Sequence, residues 1–155
     1  MPIDEATRNA AISNIESHIK EVESLMYSVA KKIGQRAHNH DASKLEQPEL
    51  DLFAEWGPKL KQMEYGSEEY KSALVQMGTA LKHHYENNRH HPEHYDNGVD
   101  GMTLVDLVEM VCDWIISSRR AGGHCLDSLE HNRKRFNLSP QLVRIIANTV
   151  DILED

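Results

Sequence analysis

The sequence predicts an all-α fold, a compact helical bundle of about five to seven helices in one domain over residues 1–155. Three observations carry this. Apolar residues recur at helical spacing through several stretches, no stretch alternates with period two for long enough to form a strand, and Gly and Pro fall between the periodic stretches.

The first helix is the clearest. Ile12, Ile15, Ile19, Val22, Met26, Val29 and Ile33 recur at steps of three and four, predicting a helix over 4–34 with Asp4 as N-cap and Gly34 as C-cap. So regular a stripe also reads as a coiled-coil arm, which fits less well in a short one-domain chain. Residues 37–48 are polar and turn-like, with room for a short helix at 42–45. Pro48 can open a helix over 49–56, which Gly57-Pro58 should end. A third long helix is expected over 67–88, with Leu74, Met77, Leu81, His84 and Asn88 facing inward. Residues 90–101 carry Pro92, Asn97-Gly98 and Asp100-Gly101, the marks of a loop. The segment 103–120 is apolar on most sides and reads as a central, buried helix, closed by Gly122-Gly123. Two shorter helices follow at 126–135 and 140–153, the second with Ser139 as N-cap before Pro140.

Composition bounds the function. With 39% hydrophobic and 27% charged residues the chain reads as globular. Its net charge of −8 argues against nucleic acid and against anionic membranes, both of which need a basic surface. No apolar run approaches the roughly 20 residues of a membrane span. MPIDEATRNA lacks the pattern of a signal peptide, so a cytoplasmic protein is expected, with Cys112 and Cys125 as reduced thiols.

The ten histidines are clustered. His83, His84, His90, His91 and His94 fall within one short stretch, and His84 extends the apolar face of Met77 and Leu81. His18 lies beside the stripe of the first helix, where a lone histidine is more often a hydrogen-bonded packing residue. His40-Asp41 can both point inward only where the backbone turns, and Lys44 follows Asp41 by one helical turn. Asp106, Glu109 and Asp113 share a face of the apolar helix, where a buried carboxylate needs a metal or an Arg or Lys partner. Imidazole and carboxylate together suit divalent ions such as Mn, Fe and Zn.

The order His18, His40-Asp41, Asp113 on a helical chain resembles the HD-domain superfamily of metal-dependent phosphohydrolases. His40 to Lys44 is similar to the HD-x-x-K form of several branches. His90-His91-Pro92-Glu93 with Asp96-Asn97-Gly98 is loosely similar to a loop of the HD-GYP branch, although the Gly-Tyr-Pro that names that branch is absent. A closer similarity is to an uncharacterised group of phage and bacterial proteins. Its three blocks are matched by His40 to Lys44 with Pro48-Glu49, by His84 to His91, and by Glu109 to Trp114. The resemblance covers about residues 15–120. It implies an HD-domain-like core with His18, His40, Asp41 and Asp113 as metal ligands. His84 and one or both of His90 and His91 would be extra ligands where two ions bind, with His91 slightly favoured over His90. Lys44, Asn88 and Glu109 would support the site or touch substrate.

Three functions follow as expectations. The first is a metal-dependent phosphohydrolase acting on a nucleotide or related phosphoester, with one or two divalent ions (Mn, Fe, Mg, Zn and Ni not distinguished). The second is a di-iron HD-type oxygenase. The third is a non-enzymatic, phage-type binding protein on the same scaffold. A homo-oligomer is compatible with the apolar first helix and Trp56.

Overall fold

The computed structural model describes residues 2–154, and among them the chain is all-α. Seven α-helices follow one another: α1 Glu5–Asn39, α2 Glu49–Leu60, α3 Glu68–Gln76, α4 Gly78–Asn87, α5 Leu104–Arg120, α6 Leu129–Arg135 and α7 Pro140–Glu154. Single 3₁₀ turns lie between them at Ala42–Leu45, Pro92–His94, Gly98–Gly101 and Cys125–Ser128. The chain divides into two compact units, Met1–His38 and Asn39–Asp155. No described helix is long and apolar enough to cross a membrane.

The first unit is essentially α1. Asp4 starts it as expected, its carboxylate accepting the Thr7 N–H at 2.9 Å. Gly34 does not end it, and the helix continues to Asn39. An exposed interior glycine costs a helix only about 1 kcal/mol, and Gln35, Arg36 and Ala37 are good helix formers.

The second unit packs two groups of helices. α2 lies against α4 and against the Ala42–Leu45 turn, and α3 touches both α2 and α4. Ser67 caps α3 by accepting the Tyr70 N–H at 3.1 Å. The single helix expected over 67–88 is broken at Met77, just ahead of Gly78. The break changes the inward face. Ala73, Met77, Ala80, His84 and Asn88 are buried, whereas Leu74 and Leu81 are half-buried. Pro58 does not stop α2, because it sits in the last turn, where few amide bonds remain to be lost.

The apolar core joins α5, α6, α7 and the Cys125–Ser128 turn through Met110, Val111, Ile115, Cys125, Leu129, Leu138, Ile146 and Val150. Thr103 and Asp106 start α5 with a capping box, Asp106 also accepting from Tyr95 Oη at 2.8 Å and facing Arg89 at 3.4 Å. α5 is less buried than its composition predicts. Leu104, Val108 and Ile116 are exposed, and only the Met110–Val111–Ile115 side faces the core. Both cysteines are free thiols, Cys112 exposed and Cys125 buried.

This asymmetry of α5 is measurable. Met110→Ala should lower unfolding stability by about 2–5 kcal/mol, and Ile116→Ala by under about 1 kcal/mol, in urea titrations. Equal losses would mean that the helix is buried all round.

Candidate metal centre

The centre starts at one backbone turn. α1 ends at Asn39, and Asp41 adopts a left-handed conformation, φ 55° and ψ 19°. Aspartate enters this region more readily than most residues. The reversal lets the adjacent side chains of His40 and Asp41 face the same point. The 3₁₀ turn that follows returns Lys44 onto Asp41, Nζ lying 2.5 Å from Oδ2. Burial pushes the Asp41 carboxyl up, but the Lys44 ammonium and the neighbouring imidazoles outweigh it and hold the group below its ordinary value.

α4 and the loop after it supply three more imidazoles. His84 occupies the buried face of α4, and Asn88 lies one turn on. The Asn88 amide donates to the His84 carbonyl at 2.8 Å and to Ser43 Oγ at 2.7 Å. It thereby ties the end of α4 to the turn that carries Asp41. A turn at Arg89-His90, in which the His91 N–H donates to the Asn88 carbonyl at 3.3 Å, brings His90 and His91 back to the same point. His94 Nδ1 donates to the Tyr85 carbonyl at 2.7 Å, so that histidine fixes the loop and does not join the cluster.

The donor atoms converge on Asp41. Oδ1 lies 3.4 Å from His84 Nε2 and 3.6 Å from His90 Nε2, and Oδ2 lies 3.4 Å from His40 Nε2. His84 Nε2 and His91 Nε2 are 2.8 Å apart. Two ligands each about 2.1 Å from a shared ion stand roughly 3.0–3.4 Å apart, and the separations here, 2.8–3.6 Å, bracket that range. Asp41, His84, His90 and His91 form one group able to hold an ion, and His40, His90 and Glu109 form a second. Asp41 Oδ1 and both ring nitrogens of His90 are buried without a hydrogen-bond partner. Buried polar atoms are rarely left so, and Asp41 Oδ1 and His90 Nε2, 3.6 Å apart, fit a cation between them.

Two carboxylates aim the rings. Glu49, at the start of α2, is fully buried. Its Oε2 accepts from His84 Nδ1 at 2.8 Å and its Oε1 from His83 Nδ1 at 2.7 Å. With the proton on Nδ1, the Nε2 lone pair of His84 faces Asp41. Glu109 on α5 serves the other side, its Oε1 accepting from His40 Nδ1 at 3.0 Å and lying 3.1 Å from His90 Nδ1. The Glu109 hydrogen bond raises the His40 pKa, whereas burial lowers that of His84 and takes His91 down to about 2. His84 and His91 are therefore neutral imidazoles at ordinary pH, the form that can bind a metal.

Most residues singled out in the sequence thus meet in the second unit: His40, Asp41, Lys44, His84, Asn88, His90, His91 and Glu109. Asp113 sits at the rim, 3.9 Å from His40 Nε2 and 4.0 Å from His90 Nε2, with Ser117 Oγ donating to it at 3.2 Å. His18 belongs to the first unit, on an exposed face of α1, and is in neither donor group. Asp106 does not share the site with Glu109 and Asp113; the cap of α5 and Arg89 hold it. Glu49 carries no site role in the sequence reading. It enters there only as part of the Pro48-Glu49 match, and an acidic residue after Pro48 reads otherwise as a solvated complement to a helix N-terminus.

A family model of a family of unknown function, DUF5662, matches residues 7–152. The chain belongs to DUF5662. No curated protein and no solved structure matches it. The match runs through every block of this DUF5662 centre, from His40-Asp41 to Asp113.

Two measurements test the centre. Glu49→Ala should weaken Mn(II) or Zn(II) binding about 10–100-fold in calorimetric titrations, as loss of a ligand's orienting partner does. His83→Ala should change it less than about twofold on the same grounds. Metal-free protein should also lose stability as pH falls below the ordinary histidine value. The unfolded chain takes up a proton there that buried His91 refuses, so stability is present above that pH and lost beneath it. His40 contributes with the opposite sign, its share being lost as pH rises through its raised value. His91→Gln should flatten the acid limb, and an unchanged limb would refute the assignment.

Proposed function

We propose that this protein is a metal-dependent phosphohydrolase acting on a nucleotide or a related small phosphoester. One observation carries the reading: the imidazole–carboxylate cluster borders a cavity that is also lined by the Lys44 side chain. The cavity is about 520 Å³ and is lined by Lys44, His84, His91 and Asp113 on one side. That volume suits a small metabolite. Phe53, Tyr70, Trp114 and Phe136 supply aromatic wall for a flat, apolar substrate body. Arg135, also on the lining, is held by Glu93 at 2.8 Å and donates to Tyr65 Oη at 3.1 Å.

The donor set fits a transition-metal ion, since four imidazoles around a carboxylate suit Mn, Fe, Zn or Ni better than Mg. When bound, such an ion acidifies water and polarises a phosphoryl oxygen. The chain's own residues supply the remainder. Lys44 offsets phosphate charge beside Asp41, and the apolar walls exclude bulk water. Glu109 keeps the Nδ1 proton on the far side of the His40 ring, and Asp113 at the rim accepts a proton from an incoming nucleophile. The resemblance to HD phosphohydrolases supports the same reading. The imidazole-rich set also favours a second reading, a di-iron oxygenase of HD type, which dioxygen consumption by iron-loaded protein would reveal.

Protein loaded with Mn(II) or Fe(II) should release phosphate from members of a nucleotide and phosphoester panel, and a chelator should abolish this. Asp41→Ala should remove activity and bound metal together. Lys44→Ala should keep the metal and raise KM about tenfold or more, as loss of a phosphate contact does. No phosphate release from any panel member by fully loaded protein would refute the proposal.

A further inference from the structure

The apolar stripe of α1 has no cover within its own unit. No α1 residue is buried, and six residues of the stripe, from Ile12 to Val29, are 43–67% exposed. A helix of 35 residues draws most of its stability from burying such a face, so something covers it.

The spacing says what kind of surface fits. Ile12, Ile19, Met26 and Ile33 occupy one position of a seven-residue repeat, and Ile15, Val22 and Val29 another. Steps of three and four alternate without a break, a repeat of 3.5 residues and the mark of a left-handed coiled coil. A helix lying on a globular body carries a wider apolar arc. Here the flanking positions hold Glu16, Glu23 and Ala30 on one side and His18, Leu25 and Lys32 on the other, so Leu25 alone is large and apolar.

The charges say which helix. Two parallel copies in register set His18 against Glu23, Leu25 against Ala30 and Lys32 against Ala37, with no like charges opposed. An antiparallel pair sets Glu16 or Glu23 against a second glutamate in the registers that overlap the stripes most fully. We propose that α1 is an assembly helix, whose seam from Ile12 to Ile33 packs in parallel against the same seam of other copies of this chain. β-Branched residues at both seam positions favour three strands over two.

Light scattering on the full chain tests this at micromolar concentration. The wild type should have the mass of two or three chains, and the pair Ile19→Glu with Val22→Glu should have the mass of one. That variant should keep its metal content, because the seam lies outside the donor cluster. Ile12→Cys in a Cys112→Ser background should form a reducible dimer under mild oxidation, because parallel pairing sets the two cysteines side by side. A single-chain wild type would overturn the proposal and leave the stripe to be covered within one chain. So would a variant that stays assembled, and an assembly without the Ile12→Cys crosslink would overturn the parallel arrangement. None of these outcomes depends on whether the metal centre hydrolyses phosphoesters.

Discussion

Asp41 stands in the middle of the second unit's polar centre, and its carboxylate gives that centre its form. A single left-handed residue after α1 turns two neighbouring side chains onto one point. Such backbone is strained for a residue with a Cβ, by roughly 1–3 kcal/mol, and persists only where its surroundings hold it. Lys44 provides one hold and the imidazoles of His40, His84 and His90 provide the others. The interaction is reciprocal. Asp41 Oδ1 stands 3.4 Å from His84 Nε2, which itself lies 2.8 Å from His91 Nε2.

Around that point the chain repeats one device. A buried or half-buried glutamate accepts Nδ1–H and leaves Nε2 bare: Glu49 does this for His84, and Glu109 does it for His40. A neutral imidazole has one N–H, so fixing its proton on the outer nitrogen also fixes which nitrogen can bind a metal. The two glutamates come from opposite sides, one at the start of α2 and one in the middle of α5. The centre is therefore as rigid as the packing of those helices. α5 also carries Met110, Val111 and Ile115 into the core, so one element is anchored by apolar contacts on one face and presents acidic groups on another.

The parts of this arrangement legible in the sequence were those with a local signature. Helical spacing marked α1 and α5, and His40-Asp41 with Lys44, the block from His84 to His91, and Glu109 all marked the site. Helix ends were less legible, because a glycine or proline costs little where solvent or the last turn absorbs it: Gly34 and Pro58 are both inside helices. The break at Met77 was hidden because α3 and α4 have nearly continuous periodicity. Glu49 was hidden for another reason. Its role depends on two histidines more than thirty residues away, and an acidic residue in the first turn of a helix needs no such partner to be explained.

The same chemistry links stability to occupancy. Burial depresses the pKa of His84 and of His91, so the folded chain gives up the protonation that the unfolded chain keeps in acid. His90 Nε2 and Asp41 Oδ1 are desolvated without a hydrogen bond in return. These groups are costly to bury in the metal-free chain. A ligand that binds only the folded state lowers its free energy in proportion to the logarithm of concentration over Kd, and a divalent ion at this point would offset that cost. The unsatisfied atoms are thus better explained as one half of a binding equilibrium than as a defect of packing. Their clustering at a single carboxylate, beside a cavity that carries a lysine, ties the fold's least comfortable residues to its function.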